Sequence, residues 1–539
     1  MQDEPAITLR FDAAISEWLT LLGPANVLLG EAAQVAYGAD TTAIERTIPA
    51  GLKVTSANAL PELMRIATRH RVAVYPISTG RNWGYGTALA AQDGCVIVDL
   101  SALCQILHFD AEMGVVTVEP GVTQGMLTEF LDDGGHNFMV PVTGAGPSCS
   151  LIGNALERGY GVTPYTDHFA AVTDLEAILA DGSRYRTALR EAGGEDLARL
   201  FKWGIGAYST GLFSQSGFGI VTRMSIQLAP RPECIKICLF SLKDDVLLES
   251  VVERIRLILG RLPGTVGGIN LMNRHRVLAM SAPYPAGQIG ADGLIPPEVI
   301  TQLGGQYQIA PWTGFGTLYG TRRMVAAAQK EIRQALKGVA SRLLFLSAGN
   351  AAMLLKAARW IPGGAGQRLS STAAMLKRSL GLVGGRPNET ALPLAYWRNQ
   401  PGVVSAPRDP ARDGCGLIWY APLVPMRPAG ARAYVEMVTD VTRAHGMEPL
   451  LTFTSLSDKL FDSTVPLIFD RNDPASAAAA HACYRALIAR GQAQGWFPYR
   501  VAVSAMPALA AMMDESHAFH EKLRHGIDPH NLIAPGRYR

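Results

Sequence analysis

Residues 76–86 read Pro76-Ile77-Ser78-Thr79-Gly80-Arg81-Asn82-Trp83-Gly84-Tyr85-Gly86. They follow an apolar stretch, Val72-Ala73-Val74-Tyr75, with the texture of a short buried strand that ends at Pro76. A loop punctuated by glycine in this way can turn several backbone N–H groups into one concavity, which is a physical means of holding a pyrophosphate. Glycine suits such a loop because the backbone must approach a ligand closely or take positive φ. A structural tight turn would use the same residues. A second glycine-rich stretch follows another β-type segment and contains Gly153-Asn154 and Gly159-Tyr160-Gly161. Two such loops together favour a dinucleotide-type cofactor over two unrelated turns.

Working outward, residues 60–71 place Leu60, Leu63, Ile66 and Ala67 on one helical face. Residues 95–100 and 114–119 read as strands, and 175–185 as a hairpin about Asp181-Gly182, a dipeptide suited to a type I′ turn. Helix followed by several strands predicts a mixed α+β unit rather than a regular βαβ series. From about residue 231 the texture changes. Helical periodicity at 245–262 and 321–336 alternates with stretches rich in Gly and Pro, read as loops, at 361–367 and 384–387. From 483 the chain returns to helix and a polar tail. The predicted organisation is a discontinuous first domain, 1–230 and 483–539, interrupted by a second domain over 231–482.

Composition and missing motifs narrow the chemistry. The 539 residues carry Lys+Arg 49 and Asp+Glu 46, a net +3, which leaves no basic footprint for nucleic acid. Apolar residues make up 48%, too many for a disordered chain, yet no run approaches a membrane span. Asp3 and Glu4 stand where an export signal would need bases, and the seven cysteines form no C-x-x-C, so a reducing cytoplasm is expected. No P-loop, H-E-x-x-H or G-x-S-x-G occurs. Gly144-Ala145-Gly146 and Gly204-Ile205-Gly206 do not complete a Rossmann fingerprint, and the scattered histidines suggest no metal site.

Five ordered segments carry a resemblance. Residues 76–86 are similar to the pyrophosphate loop of the vanillyl-alcohol oxidase and para-cresol methylhydroxylase (PCMH) flavoproteins. Residues 152–159, running into Thr163-Pro164-Tyr165-Thr166-Asp167-His168, resemble the same family, as do 211–216 with Gly219-Ile220-Val221-Thr222, then Tyr499-Arg500, then the tail 528–536. The resemblance is dense over the first 230 residues, good over the last 60 and poor between.

It implies an α+β fold: a two-part FAD-binding domain of the PCMH type under a separate α+β cap. FAD would be held by Pro76, Ser78, Thr79, Gly80, Arg81, Asn82, Gly84, Tyr85 and Gly86 of the first loop. Ser150, Ile152, Gly153, Asn154, Glu157, Gly159, Gly161 and Val162 would join from the second, with Gly219, Ile220, Val221 and Arg537 completing the pocket. In phenol-oxidising members two tyrosines and an arginine grip the substrate hydroxyl, and the matching positions here are Tyr85, Tyr499 and Arg500. Two O–H donors and a guanidinium favour a phenolate, which helps a hydride leave the benzylic carbon.

Two departures stand out. Leu417 occupies the cap position where relatives attach the flavin covalently, although Tyr420 and Cys415 lie close, and the 76–86 loop has no histidine. Dissociable FAD is expected. No acid stands in residues 141–148, where vanillyl-alcohol oxidase carries its aspartate, so Asp413 is the substitute candidate for the catalytic base. Asp167-His168 is read as a loop brace. The expected function is an FAD-dependent oxidoreductase acting on a para-substituted phenol or aromatic alcohol, passing electrons to oxygen or to a protein or quinone acceptor. One alternative is oxidation of an aliphatic hydroxy acid or alcohol, with Arg500 on a carboxylate. Another is a non-catalytic flavoprotein subunit that docks an electron-transfer partner. Relatives are commonly dimers, so a homodimer is expected.

Overall fold

The helix Leu60–His70 forms where its apolar positions recur every three to four residues, and Leu60, Leu63, Met64, Ile66 and Ala67 are all buried. It ends at Arg71, whose left-handed φ of 55° turns the chain into the strand Val74–Ile77. In this computed structural model, which describes residues 4–358, 360, 363–399, 404 and 406–538, that strand is the edge of a four-stranded sheet. Val96–Asp99 lies beside it in parallel, then Ala50–Lys53, then Val27–Leu29. The C-terminal tail adds to the free side of Val74–Ile77. Val74 N donates to Leu532 O at 2.8 Å and Ala534 N to Val74 O at 2.8 Å. Asp528 holds this tail by accepting from the Leu532 and Ile533 amides.

A five-stranded antiparallel sheet stands next in the chain, ordered Ile106–Asp110, Val115–Val118, Ile220–Gln227, Val172–Ile178 and Arg184–Arg186. The hairpin expected about Asp181-Gly182 joins its last two strands, but not as a two-residue turn. Of the pair only Gly182 has positive φ, while Asp181 accepts the Ser183 amide at 2.8 Å and Leu179 N bonds Ser183 O. A type I′ turn requires positive φ at both central residues, so a wider loop forms.

The third sheet has eight antiparallel strands. Along its main path run Arg342–Leu346, Cys234–Leu242, Trp312–Gly320, Val266–Asn273, Thr452–Ser455, Leu460–Asp470 and Cys415–Tyr420. Successive side chains alternate between faces. Phe453, Phe461, Val465, Leu467, Phe469, Ile418 and Tyr420 pack with the helices Pro428–Ala444, Leu248–Arg261 and Pro474–Ala493 in the main core. The opposite face of the same strands carries Asn270, Thr454, Asp462, Thr464, Leu417 and Trp419 toward the first two sheets.

Two boundaries differ from expectation. Residues 363–367 open the helix Gly363–Val383 rather than a loop, because the small residues there are followed by a long helix-forming run; 361 and 362 lie outside the described residues. Position 483 falls inside the helix Pro474–Ala493, where Cys483 is buried. No helix among the described residues is long and apolar enough to cross a membrane.

Candidate active site

Between the 76–86 loop and the polar face of the large sheet lies a cavity of about 430 Å³. One wall comes from the first loop, from 143–162, from Gly219 and Val221, and from Ala534 and Arg537 of the tail; the other comes from the large sheet and its flanking helix. The first loop is anchored to the segment opposite. Arg81 forms an ion pair with Asp409, whose other carboxylate oxygen accepts Trp83 Nε1 at 3.2 Å.

The glycine-rich wall fits a cofactor pyrophosphate. Ser150 caps the helix Leu151–Leu156 by accepting the Gly153 amide at 3.0 Å. A Cβ on Gly153 would come 3.1 Å from Ser78 Oγ, and one on Gly161 would collide with Val142 O and the His168 ring. The two loops therefore meet closely at Gly153 and Ser78, and Gly161 packs against Val142 and His168 where a side chain would not fit. Asn154 donates to His168 Nδ1 at 2.5 Å, and burial pushes the His168 imidazole down to about 4, so it braces the loop as a neutral acceptor. Arg537 pairs with Glu157 and donates to the Tyr75 hydroxyl at 2.8 Å, which ties the tail to both loops.

Most residues expected to hold the cofactor line this cavity. Pro76, Ser78, Thr79, Gly80, Arg81, Asn82 and Tyr85 do so from the first loop, and Ser150, Ile152, Gly153, Asn154, Glu157, Gly159, Gly161 and Val162 from the second. Gly219, Val221 and Arg537 join them, but Gly84, Gly86 and Ile220 do not. Gly84 (φ 78°) turns its Cα against the Trp419 ring, and a Cβ on Gly86 (φ 123°) would lie 2.7 Å from Val503. Both serve close packing. Ile220 is fully buried, pointing into the hydrophobic core.

Tyr85, Tyr499 and Arg500 converge. The Arg500 guanidinium lies 3.8 Å from the centre of the Tyr85 ring and donates to Asn82 Oδ1 at 2.6 Å. Backbone bonds bring it there: Val503 N to Tyr85 O at 3.0 Å and Tyr499 N to Ala421 O at 3.3 Å. Burial raises the Tyr85 and Tyr499 hydroxyls above the ordinary phenol range, so both are neutral donors at any working pH. Burial alone would weaken the Arg500 charge, yet Tyr85, Tyr499 and Tyr538 more than offset it.

Asp413 does not join them. It accepts from the Tyr396 hydroxyl at 2.7 Å, the Asp409 amide at 3.2 Å and Arg412 Nε at 3.1 Å. Burial raises its pKa, but the bonds from Tyr396 and Arg412 outweigh that and hold it below the usual carboxylate range. It braces the 409–414 turn and is absent from the cavity lining.

Two acids line the cavity: Glu157, which is paired with Arg537, and Asp462. Burial pushes the Asp462 carboxyl up to about 7, against the pull of Arg500, and its Oδ1 has no hydrogen-bond partner among the described residues. Sequence reasoning missed Asp462, although Phe461, Val465 and Leu467 alternating with Asp462 and Thr464 are a period-two signal that could have found it. Arg276 was missed as well. It reads as part of a solvated Arg274-His275-Arg276 run, and only the fold buries it against the cavity.

Comparison with known proteins accords with this geometry. A family model described as "FAD binding domain" matches residues 49–188. The 1'-carboxy-chondrochloren decarboxylase of Chondromyces crocatus is 34% identical over 535 residues, covering 98% of each chain. The 4-cresol dehydrogenase [hydroxylating] flavoprotein subunit of Pseudomonas putida is 26% identical, covering 98% of this chain and 95% of its own. The chain belongs to the vanillyl-alcohol oxidase/PCMH family. It is an FAD-linked oxidoreductase. The crystal structure of p-cresol methylhydroxylase with substrate bound superposes with a TM-score of 0.87 at 26% identity, over 98% of this chain and 96% of that one. Leu417 lines the cavity with a side chain that offers no nucleophile. Tyr420 points to the other face of its sheet, fully buried, and buried Cys415 is not among the lining residues.

Proposed function

We propose that the protein oxidises a para-substituted phenol or aromatic alcohol at the carbon attached to the ring. The observation that carries this reading is the convergence of Tyr85, Tyr499, Arg500 and Asp462 on one cavity. FAD, when bound, supplies the hydride acceptor. Ser78 to Asn82, Ser150 to Val162, Gly219, Val221 and Arg537 would hold it. Tyr85 and Tyr499 donate hydrogen bonds to the substrate oxygen, and Arg500 favours its anionic form. Asp462, titrating near neutrality, accepts the proton released as the phenol becomes phenolate. The phenolate then drives electron density toward its para position, which helps hydride leave the benzylic carbon attached there. The relatives named for cresol extend across the cap as well as the cofactor-binding part, which supports an aromatic over an aliphatic substrate.

Residues 1–230 with 483–539 would form the FAD-binding part and 231–482 the cap, with the junction displaced to an end of the helix Pro474–Ala493. A homodimer in the cytoplasm, using oxygen or a protein or quinone acceptor, completes the reading; seven free thiols suit a reducing compartment.

Anaerobic mixing with 4-hydroxybenzyl alcohol and para-alkylphenols tests the activity, with bleaching of the visible flavin band as the expected result. An unchanged band with every phenol, together with bleaching by a hydroxy acid, would sink it. FAD is proposed to be non-covalent, because Leu417 offers no attachment atom. Acid precipitation is expected to release all yellow colour to the supernatant, and colour retained in the pellet would contradict this.

A further inference from the structure

Arg276 is buried to 9% exposure, yet no carboxylate among the described residues lies within ion-pair distance of it. Its Nε donates to Thr452 Oγ1 at 3.1 Å, its guanidinium lies 5.5 Å from the centre of the Trp419 ring, and its Nη1, itself fully buried, has no partner among the described residues. Asn273 sets this position. Its side chain caps the helix Arg274–Ser281 by accepting the Arg276 amide at 3.0 Å, while its amide group donates to Pro449 O at 2.7 Å. The cation therefore stands in the first turn of a helix, the end whose dipole disfavours positive charge. Burial disfavours it too, pushing its pKa down to about 9. An unpaired guanidinium held at such cost, with a buried unsatisfied donor on a side chain that lines the cavity, calls for an anion.

The sheet register places that anion relative to the clamp. Thr452 and Thr454 lie on the same face, one pleat repeat or about 7 Å apart, and Thr454 pairs with Asp462, which feels the Arg500 charge. We propose that Arg276 is a carboxylate-binding residue and that the substrate is a phenol whose para side chain carries a carboxylate. The inference rests on the phenol reading above. The guanidinium can offer two parallel N–H donors to such a group.

The test uses the FAD-loaded protein and two probes, 3-(4-hydroxyphenyl)propanoate and 4-ethylphenol, titrated anaerobically while the flavin spectrum is followed. Wild type should bind the acid more tightly than the neutral phenol. Arg276→Gln should raise the Kd of the acid about 10- to 100-fold, the range for a hydrogen bond to a charged group, and leave that of 4-ethylphenol within about threefold. Arg276→Lys should recover part of the loss. Thr452→Val, which removes the Nε anchor while keeping side-chain shape, should weaken the acid several-fold and covers the case in which Arg276→Gln does not fold. Equal weakening of both probes would overturn the proposal, since Arg276 would then serve the cofactor or the fold, and so would unchanged binding of the acid. Should neither phenol reduce the flavin, the functional reading fails by itself. Perturbation of the oxidised flavin band by the acid, lost in Arg276→Gln, would still uphold the subsite, and its absence in wild type would overturn it.

Discussion

Replacing Asp462 with Asn is expected to slow anaerobic flavin reduction by a phenol about 100- to 10,000-fold, the range for loss of a positioned general base. The carboxyl is buried on the cavity face of its strand, titrates at about 7, and leaves Oδ1 unpartnered. Below that pH it is neutral and cannot take a proton. The wild-type rate should therefore rise with pH through about 7 and level off above. Asn cannot titrate, so the variant should lose this inflection while keeping its FAD absorbance and melting temperature. Stopped-flow reduction across pH 5 to 9 provides the measurement; a variant within about threefold of wild type, with the same inflection, would remove Asp462 from the mechanism.

Arg500→Met is expected to cost about 100- to 1,000-fold in the same step, the range for removing one preorganised donor from a developing anion. It carries a second consequence with a definite sign. Arg500 holds the Asp462 pKa down against burial. Without that charge the carboxylate loses stabilisation, so the inflection should move above 7. A fall in rate with no upward movement would mean that the two groups do not share the cavity electrostatically. Arg500→Lys should do less harm if the ligand is a phenolate, since a point charge still serves it, and more if the ligand is a carboxylate gripped in two places.

The glycine-rich wall of the cavity was largely legible because its signals are local. Glycine at 80, 153, 159 and 161 marks where backbone must come close, and short-range order carries that information in a few adjacent letters. The clamp was legible only through resemblance: nothing in Tyr499-Arg500 itself says that it returns to Tyr85, more than 400 positions away. Which acid faces the cavity was hidden for a related reason. Asp413 stands at the right place in the chain, but Tyr396 and Arg412 claim its oxygens, while Asp462 reaches the cavity from another strand.

By itself the sequence determined the helix Leu60–His70, the buried strands beside it and the glycine loops, and hence an α+β protein suited to a dinucleotide-type cofactor, with FAD itself implied only by the family resemblance. Each depends on periodicity or backbone freedom within a dozen residues. Only the tertiary structure decided which charges face the cavity. Whether Arg276, Asp413 or Asp462 is solvated, paired or stranded depends on partners brought from other elements, and burial without a partner is what turns an ordinary charged side chain into a reactive or ligand-seeking one.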